Sequence, residues 1–176
     1  VGHLGAEASA SIGLIESTTW LIGSLLSAAA TGFSVQVAHF IGANDFANAR
    51  QVFRHALICG VAFSIFVSLL CVGIHGYLPY WLGGGADIAT NSSRYFLIYG
   101  LVLPFVFLYH ISEMMLKSAG NMHTPSVMAV LICICDVIFN YLFIYILKLG
   151  VVGAALGTAM AYVCISLPNL YLAGFK

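Results

Sequence analysis

Residues 122–146 read MHTPSVMAVLICICDVIFNYLFIYI, and this stretch decides the fold of the chain. From Ser126 onward, every side chain in it except Asp136 and Asn140 is apolar, small or aromatic. At a rise of ~1.5 Å per residue, a helix of this length extends ~37 Å, which exceeds the ~30 Å of a bilayer core. The stretch therefore predicts a membrane-spanning helix with a carboxyl group near its middle.

Asp136 is an acidic residue near the middle of an otherwise apolar span, where contact with lipid is unfavourable. A carboxylate at this depth costs at least ~2.5 kcal/mol on the insertion scale, so it is expected to face protein or a wet cavity and to have a function there. Asn140 lies one helical turn further along the same face. The pair can present carboxylate and amide oxygens to a coupling ion or a proton. The alternative is a polar pair that only joins helices.

Composition places the chain in the membrane. It is 61% hydrophobic and 7% charged, with a mean hydropathy of +1.02, whereas soluble domains carry roughly 25% charged residues. We expect an all-α, multi-pass bundle in the lipid bilayer of the cell membrane. The formal net charge is zero and no basic run occurs, which argues against nucleic-acid binding. All five cysteines lie in apolar runs, where cysteine usually acts as a small hydrophobic residue, so we predict neither a disulfide nor a metal site.

Turn signals divide the apolar pattern into five helices. Gly42 ends the first, and Asn44 or Asp45 can cap the second. A loop containing Pro79 and three successive glycines follows the second helix, and Thr124 is the expected N-cap of the fourth. We expect the helices at about 6–40, 47–75, 91–119, 124–147 and 151–173.

The basic residues predict the orientation. Successive turns of a five-helix chain alternate between the two sides of the membrane, and cytoplasmic loops carry more Lys and Arg. The side expected to be cytoplasmic carries Arg50, Arg54, Lys117 and Lys176, and the other side carries Arg94 and Lys148. This orientation places Val1 outside, as expected for a fragment that lacks a preceding helix.

Three further charged groups need an interpretation, and Glu113 with Lys117 is either a local structural ion pair or a functional site, since charges within a bilayer often have a function. Glu16 is either a solvated residue near the membrane surface or a cavity carboxylate that helps to bind cations. Glu113 and Lys117 have the spacing of a local ion pair. His110 and Glu113 lie three residues apart, but no set of three clustered ligands and no nucleophile–base motif accompanies them, so we do not predict an enzyme.

The sequence gives less information about a drug-binding pocket than about the ion site. Aromatic and methionine side chains can line an amphipathic pocket, although most of them are expected to face lipid or other helices. The candidates are Phe33, Tyr99, Phe105, Phe107, Tyr109, Met114, Met115, Phe139, Tyr141 and Phe143.

Four motifs in order carry a family resemblance. They are VGHLGAEASASIGL at 1–14, ATGFSVQVAHFIGANDFANAR at 30–50, MLKSAGNMHTP at 115–125 and DVIFNYLFIYILKLGVVGAALGTA at 136–159. Together they resemble the N-terminal half of the multidrug and toxic compound extrusion (MATE) family. The resemblance implies twelve helices in two lobes, of which this chain supplies helices two to six. The first helix and the C-terminal lobe of the same protein would then be missing partners.

The resemblance also implies a function and a site. MATE proteins export cationic or amphipathic compounds in exchange for Na⁺ or H⁺ by alternating access, with no other cofactor. In similar lobes an acid on the first helix, which would lie upstream of Val1, acts with an Asn and an Asp on the fifth and a Thr on the sixth. These positions correspond to Asp136, Asn140 and Thr158, with the acid and the amide exchanged. A lipid-linked oligosaccharide flippase of the same superfamily is the alternative, although it would require a basic cavity.

Overall fold

The structure is a computed structural model that describes residues 6–175; the first five residues and Lys176 of the orientation argument lie outside the described residues. Six α-helices and one π-helical segment follow each other along the chain. They are α1 (Ala6–Gly42), α2 (Phe46–Ile74), α3 (Leu78–Trp81), α4 (Ala86–Ser118), α5 (His123–Tyr141), the π segment (Leu142–Ile146) and α6 (Gly150–Phe175).

Five stretches within residues 6–175 are helical, long and apolar enough to cross a membrane. They are α1, α2, α4, α6 and the continuous run of α5 with the π segment, and they confirm the expected all-α membrane bundle. Helices suit this environment because they satisfy every backbone polar group within one segment.

The loop after α2 is shorter than predicted. It includes the four-residue helix α3, and α4 begins at Ala86 rather than near residue 91. Glycines make this compact turn possible. Gly83 has a φ of 81°, and a Cβ atom at Gly84 would lie 2.9 Å from the Pro79 carbonyl oxygen.

Two helix starts show how the caps work. Asp45 caps α2 as expected, because its Oδ1 accepts a hydrogen bond of 3.2 Å from the Asn48 backbone N–H. The prediction that Thr124 caps the next helix is wrong, since α5 begins one residue earlier. Instead, Asn121 Oδ1 accepts a hydrogen bond of 3.0 Å from the Thr124 backbone N–H. A side chain two residues outside the helix therefore satisfies a free donor of its first turn.

Helix α4 is the centre of the bundle and packs against α1, α2 and α6, whereas α5 packs mainly against α6. The large side chains Phe96, Leu103 and Phe107 of α4 are fully buried. The Phe107 ring occupies the space that a Cβ atom at Gly60 of α2 would need. Small residues thus allow close helix packing, as is common in membranes.

Hydroxyl groups of α4 also bind α1 along its length. They donate to backbone carbonyl oxygens at three levels, over distances of 2.8 to 3.0 Å. The pairs are Ser92 with Ser11, Tyr99 with Thr19, and Ser118 with Ser34. Such bonds join helices where no hydrophobic effect favours their association.

Candidate functional site

Asp136, Asn140 and Thr158 line one cavity of about 420 Å³ between α4, α5 and α6. We call it the acid cavity. Its other lining residues include Ile12, Tyr95, Tyr141, Ile144 and Tyr145. The three residues singled out in the sequence therefore come together, although they lie on two different helices.

Within the acid cavity, the carboxylate and the amide contact each other. Asn140 Nδ2 donates a hydrogen bond of 3.0 Å to Asp136 Oδ2. The remaining oxygens, Asp136 Oδ1 and Asn140 Oδ1, are buried and have no hydrogen-bond partner. A buried acceptor without a partner costs about 1–3 kcal/mol, so each of these oxygens favours the binding of a cation or a hydrogen-bond donor.

Helix α6 approaches this pair closely because of Gly157. A Cβ atom there would lie 2.5 Å from Asn140 Oδ1 and 2.9 Å from the Asn140 backbone nitrogen. A Cβ atom at Gly153 would likewise lie 2.9 Å from the Phe143 carbonyl oxygen. The two glycines therefore set the distance between α6 and the residues around Asn140.

The chain changes from α to π geometry just after Asn140. We expected an α-helix to about residue 147, but α5 ends at Tyr141 and the π segment follows. Single π turns inside α-helices are rare and frequent at functional sites. Two lining residues of the acid cavity, Ile144 and Tyr145, lie in this segment. Hydropathy gave no signal for it, because α and π turns of apolar residues look alike in sequence.

Sequence reasoning also missed Tyr95. This residue of α4 lines the acid cavity opposite α5. Its hydroxyl can both donate and accept a hydrogen bond, so it can orient a bound ion or water. A tyrosine in a long apolar helix is not distinctive in sequence, and only the packing of α4 against α6 brings it to this site.

A second cavity of about 750 Å³ lies between α1, α4 and α6. We call it the hydroxyl cavity, because hydroxyl groups supply most of its polar lining. These come from Thr19, Ser24, Ser27, Thr31, Tyr99, Thr158 and Tyr162, and the imidazole of His110 joins them. Thr158 lines both cavities, so they adjoin at this residue. No carboxylate is among the described residues that line the hydroxyl cavity.

Glu16, the possible cavity carboxylate, is placed elsewhere. It is exposed on α1 and lines neither of these two cavities. The expected ion pair between Glu113 and Lys117 is present, with 2.6 Å between Oε1 and Nζ. In the part of the chain that the structure describes, no three His, Cys, Asp or Glu side chains group as metal ligands, and all five cysteines are free.

The predicted pocket aromatics mostly lie elsewhere. Among the candidates, only Tyr99 lines the hydroxyl cavity and only Tyr141 lines the acid cavity. Phe107, Tyr109 and Met115 are buried in the protein interior instead. This agrees with the expectation that most of the candidates face lipid or other helices rather than a pocket.

A comparison with protein families decides the assignment. The profile of the MatE family matches residues 1–142, which include Asp136 and Asn140. The chain belongs to the MATE family. This membership confirms the resemblance and identifies a multi-pass membrane protein of a transporter family.

Curated MATE relatives are longer than this chain. The Multidrug export proteins MepA of Staphylococcus saprophyticus and of Staphylococcus aureus are each 26% identical to it over 136 residues. Those matches cover 77% of this chain but 30% of each relative. The chain therefore spans about a third of the length of these relatives.

Solved structures agree on the fold. A crystal structure of MATE in the bent conformation superposes with a TM-score of 0.93 at 25% identity, covering 97% of this chain and 38% of that chain. A MOP-superfamily transporter from Pyrococcus furiosus, described as having a binding pocket of reversed polarity and a suggested different function, superposes with a TM-score of 0.89 at 25% identity. Its match covers 97% of this chain and 38% of that chain.

Proposed function

We propose that the protein containing this chain is a secondary antiporter that exports cationic or amphipathic compounds in exchange for Na⁺ or H⁺. The observation that carries this proposal is the acid cavity, where Asp136 Oδ1 and Asn140 Oδ1 are buried without partners. The export activity named for the MepA relatives agrees with it.

The acid cavity has suitable chemistry for either ion. A carboxylate, an amide oxygen and the Thr158 hydroxyl are hard oxygen ligands of the kind that hard cations prefer. For a proton, Asp136 is the acceptor, and Asn140 and Thr158 orient it. In either case binding at Asp136 must favour one conformation of the transporter over the other, since only differential affinity can drive a conformational change.

The decisive experiment replaces Asp136 with Asn in the full-length protein. The variant is reconstituted in vesicles loaded with a fluorescent cationic dye, and efflux is followed under a Na⁺ gradient and, separately, under a proton gradient. We expect the D136N variant to lose gradient-driven efflux, because an amide neither takes up a proton nor offers a charge to Na⁺.

A matched control is Asp45→Asn. Asp45 caps α2 outside both cavities, and asparagine is an equally good cap. This variant should retain efflux. Full efflux by the Asp136→Asn protein under either gradient would contradict the proposal, and the gradient that drives the unchanged protein identifies the coupling ion.

A flippase would need a binding site with a different charge. A pyrophosphate-linked substrate requires basic side chains, and neither cavity is lined by Lys or Arg among the described residues. The lining thus favours cationic over anionic cargo. Vesicles in which neither gradient moves the dye would instead favour the flippase.

A further inference from the structure

A second group of titratable side chains lies on α4, outside the acid cavity. Lys117 Nζ lies 2.6 Å from Glu113 Oε1, and the other carboxylate oxygen, Oε2, lies 3.9 Å from His110 Nδ1. Nothing in the proposed ion site uses these three residues. Charged groups within a membrane span are costly and often mark ion or proton pathways.

The group leads inward from the end of the helix. Lys117 lies in the last turn of α4, and its side chain is 37% exposed. Glu113 and His110 are 17% and 22% exposed and lie deeper. At a rise of ~1.5 Å per residue, His110 is about 12 Å from the end of α4, on the side that the basic residues predict to be cytoplasmic.

From His110, polar groups continue to Asp136. His110 lines the hydroxyl cavity together with Tyr162 and Thr158, which lie one turn apart on α6. Thr158 also lines the acid cavity with Asp136. Hydroxyl groups donate and accept at the same time, and a cavity of this size that several of them line has room for water, so together they can conduct a proton.

We propose that Glu113 and His110 form a proton relay between the Lys117 end of α4 and Asp136, by way of the hydroxyl cavity. This inference rests on the proposed antiport and specifies the proton as the ion that uses the route. Glu113 accepts a proton at the helix end and passes it to His110 Nδ1. The imidazole then releases its Nε2 proton toward the cavity, and the carboxylate of Asp136 takes it up.

Each proton transfer in the relay balances in bonds and charge. One N–H or O–H bond breaks as another forms, and the net result is one proton moved with no redox change. The route is reversible, and in proton-driven export it runs from Asp136 outward to the helix end: a proton loaded from the other side of the membrane passes to His110 Nε2, and His110 Nδ1 gives its proton to Glu113. The Nδ1–Oε2 separation of 3.9 Å is closed by a small side-chain rotation or by one bridging water.

The titratable surroundings of His110 are few among the described residues. Its own helix contributes Glu113, Lys117 and Tyr109, whose ring contacts the imidazole edge to face. Helix α6 contributes Tyr162, and α1 presents hydroxyl groups but no acid or base to the hydroxyl cavity. A histidine is suited to this place because one ring nitrogen can accept a proton while the other donates one.

The test compares His110→Gln and Glu113→Gln with His123→Gln in the full-length protein. His123 is exposed in the first turn of α5 and lines neither cavity, so its variant is the matched control. Vesicles containing a pH-sensitive dye report the initial rate of substrate-driven proton exchange between about pH 6 and pH 9. Binding of the cationic dye is measured in parallel.

We expect the relay variants to slow proton exchange by about 100-fold or more while dye binding is retained. Free imidazole in the buffer should restore exchange to a His110→Ala protein, because it can replace the missing proton carrier. A purely structural role would not respond to imidazole.

Three results would overturn the relay. The first is a His110→Gln protein that exchanges protons as fast as the His123→Gln protein, although Asp136→Asn abolishes exchange. The antiport proposal would then stand without the relay. The second is a Lys117→Gln protein that loses proton exchange to the same extent, together with a His110→Ala protein whose exchange imidazole does not restore. The third is exchange driven by Na⁺ alone. Persistence of proton exchange in Asp136→Asn would instead contradict the proposed function itself.

Discussion

Gly157 illustrates how one missing side chain defines the candidate site. Its backbone lies so close to Asn140 that a Cβ atom would approach both the amide oxygen and the main-chain nitrogen within 3 Å. Rotation of the Asn140 side chain could relieve only the first of these contacts. The backbone contact means that α5 and α6 themselves would have to separate.

We therefore predict that Gly157→Ala destabilises the protein by about 1–3 kcal/mol and weakens ion-driven efflux. The control is Gly73→Ala on α2, where a Cβ atom would meet nothing within 4 Å. That change should be neutral or stabilise by about 0.5–1 kcal/mol, because alanine favours helix formation. Thermal unfolding in detergent and dye efflux from vesicles measure the two effects. A Gly157→Ala protein as stable and active as the Gly73→Ala protein would contradict the close approach.

Among the helices, the contact between α4 and α1 depends on hydroxyl groups as well as on packing. Ser92 is fully buried, and its hydroxyl donates to the Ser11 carbonyl oxygen over 2.8 Å. Tyr99 makes the equivalent bond about two turns deeper, to Thr19. The bonds fix the register of α1, which lines the hydroxyl cavity, against α4, which carries His110.

Ser92→Ala should consequently lower the free energy of unfolding by about 0.5–1.5 kcal/mol, the range expected for a hydrogen bond between membrane helices. The matched control is Ser126→Ala, because the Ser126 residue is exposed and its hydroxyl donates locally, to the carbonyl oxygen of the α5 N-cap residue Met122. Unfolding in denaturing detergent is the measurement. Equal stability of the two variants would show that the α4–α1 bond adds nothing to packing.

At the scale of the whole molecule, the alternation of helices places Arg50, Arg54 and Lys117 at one end of the bundle and Arg94 and Lys148 at the other. The predicted orientation depends on this separation of the basic residues and stays a prediction. It also gives the proposed relay a direction, since Lys117 would then lie at the cytoplasmic surface.

The orientation is tested by single cysteines in a full-length protein whose native cysteines are replaced with alanine. Ala43 lies between α1 and α2 and Leu82 lies after α3, and both are exposed. A membrane-impermeant maleimide should label Leu82→Cys in intact cells but Ala43→Cys only after permeabilisation. The reverse pattern would invert the orientation and the direction of the relay.

Parts of the site were predictable from local sequence alone. Asp136 and Asn140 are one turn apart on one helix, so their contact follows from helical geometry. Thr158 was assigned only through the family resemblance, because no local rule connects it to a residue on another helix. Tyr95 and Gly157 had no signal at all, since their roles depend on which helix faces meet.

The sequence by itself determined the five apolar spans, the polar pair in the fourth and the distribution of charge between the two ends. These follow from transfer of each segment into lipid and from helical periodicity, which do not depend on the neighbouring helices. Only the tertiary structure decided that Thr158 lines both cavities, that two oxygens of the acid-cavity residues lack partners, and that His110 lines the hydroxyl cavity. The reason is physical: helices in a membrane associate through close packing and hydrogen bonds between particular faces, and hydropathy does not record which faces those are.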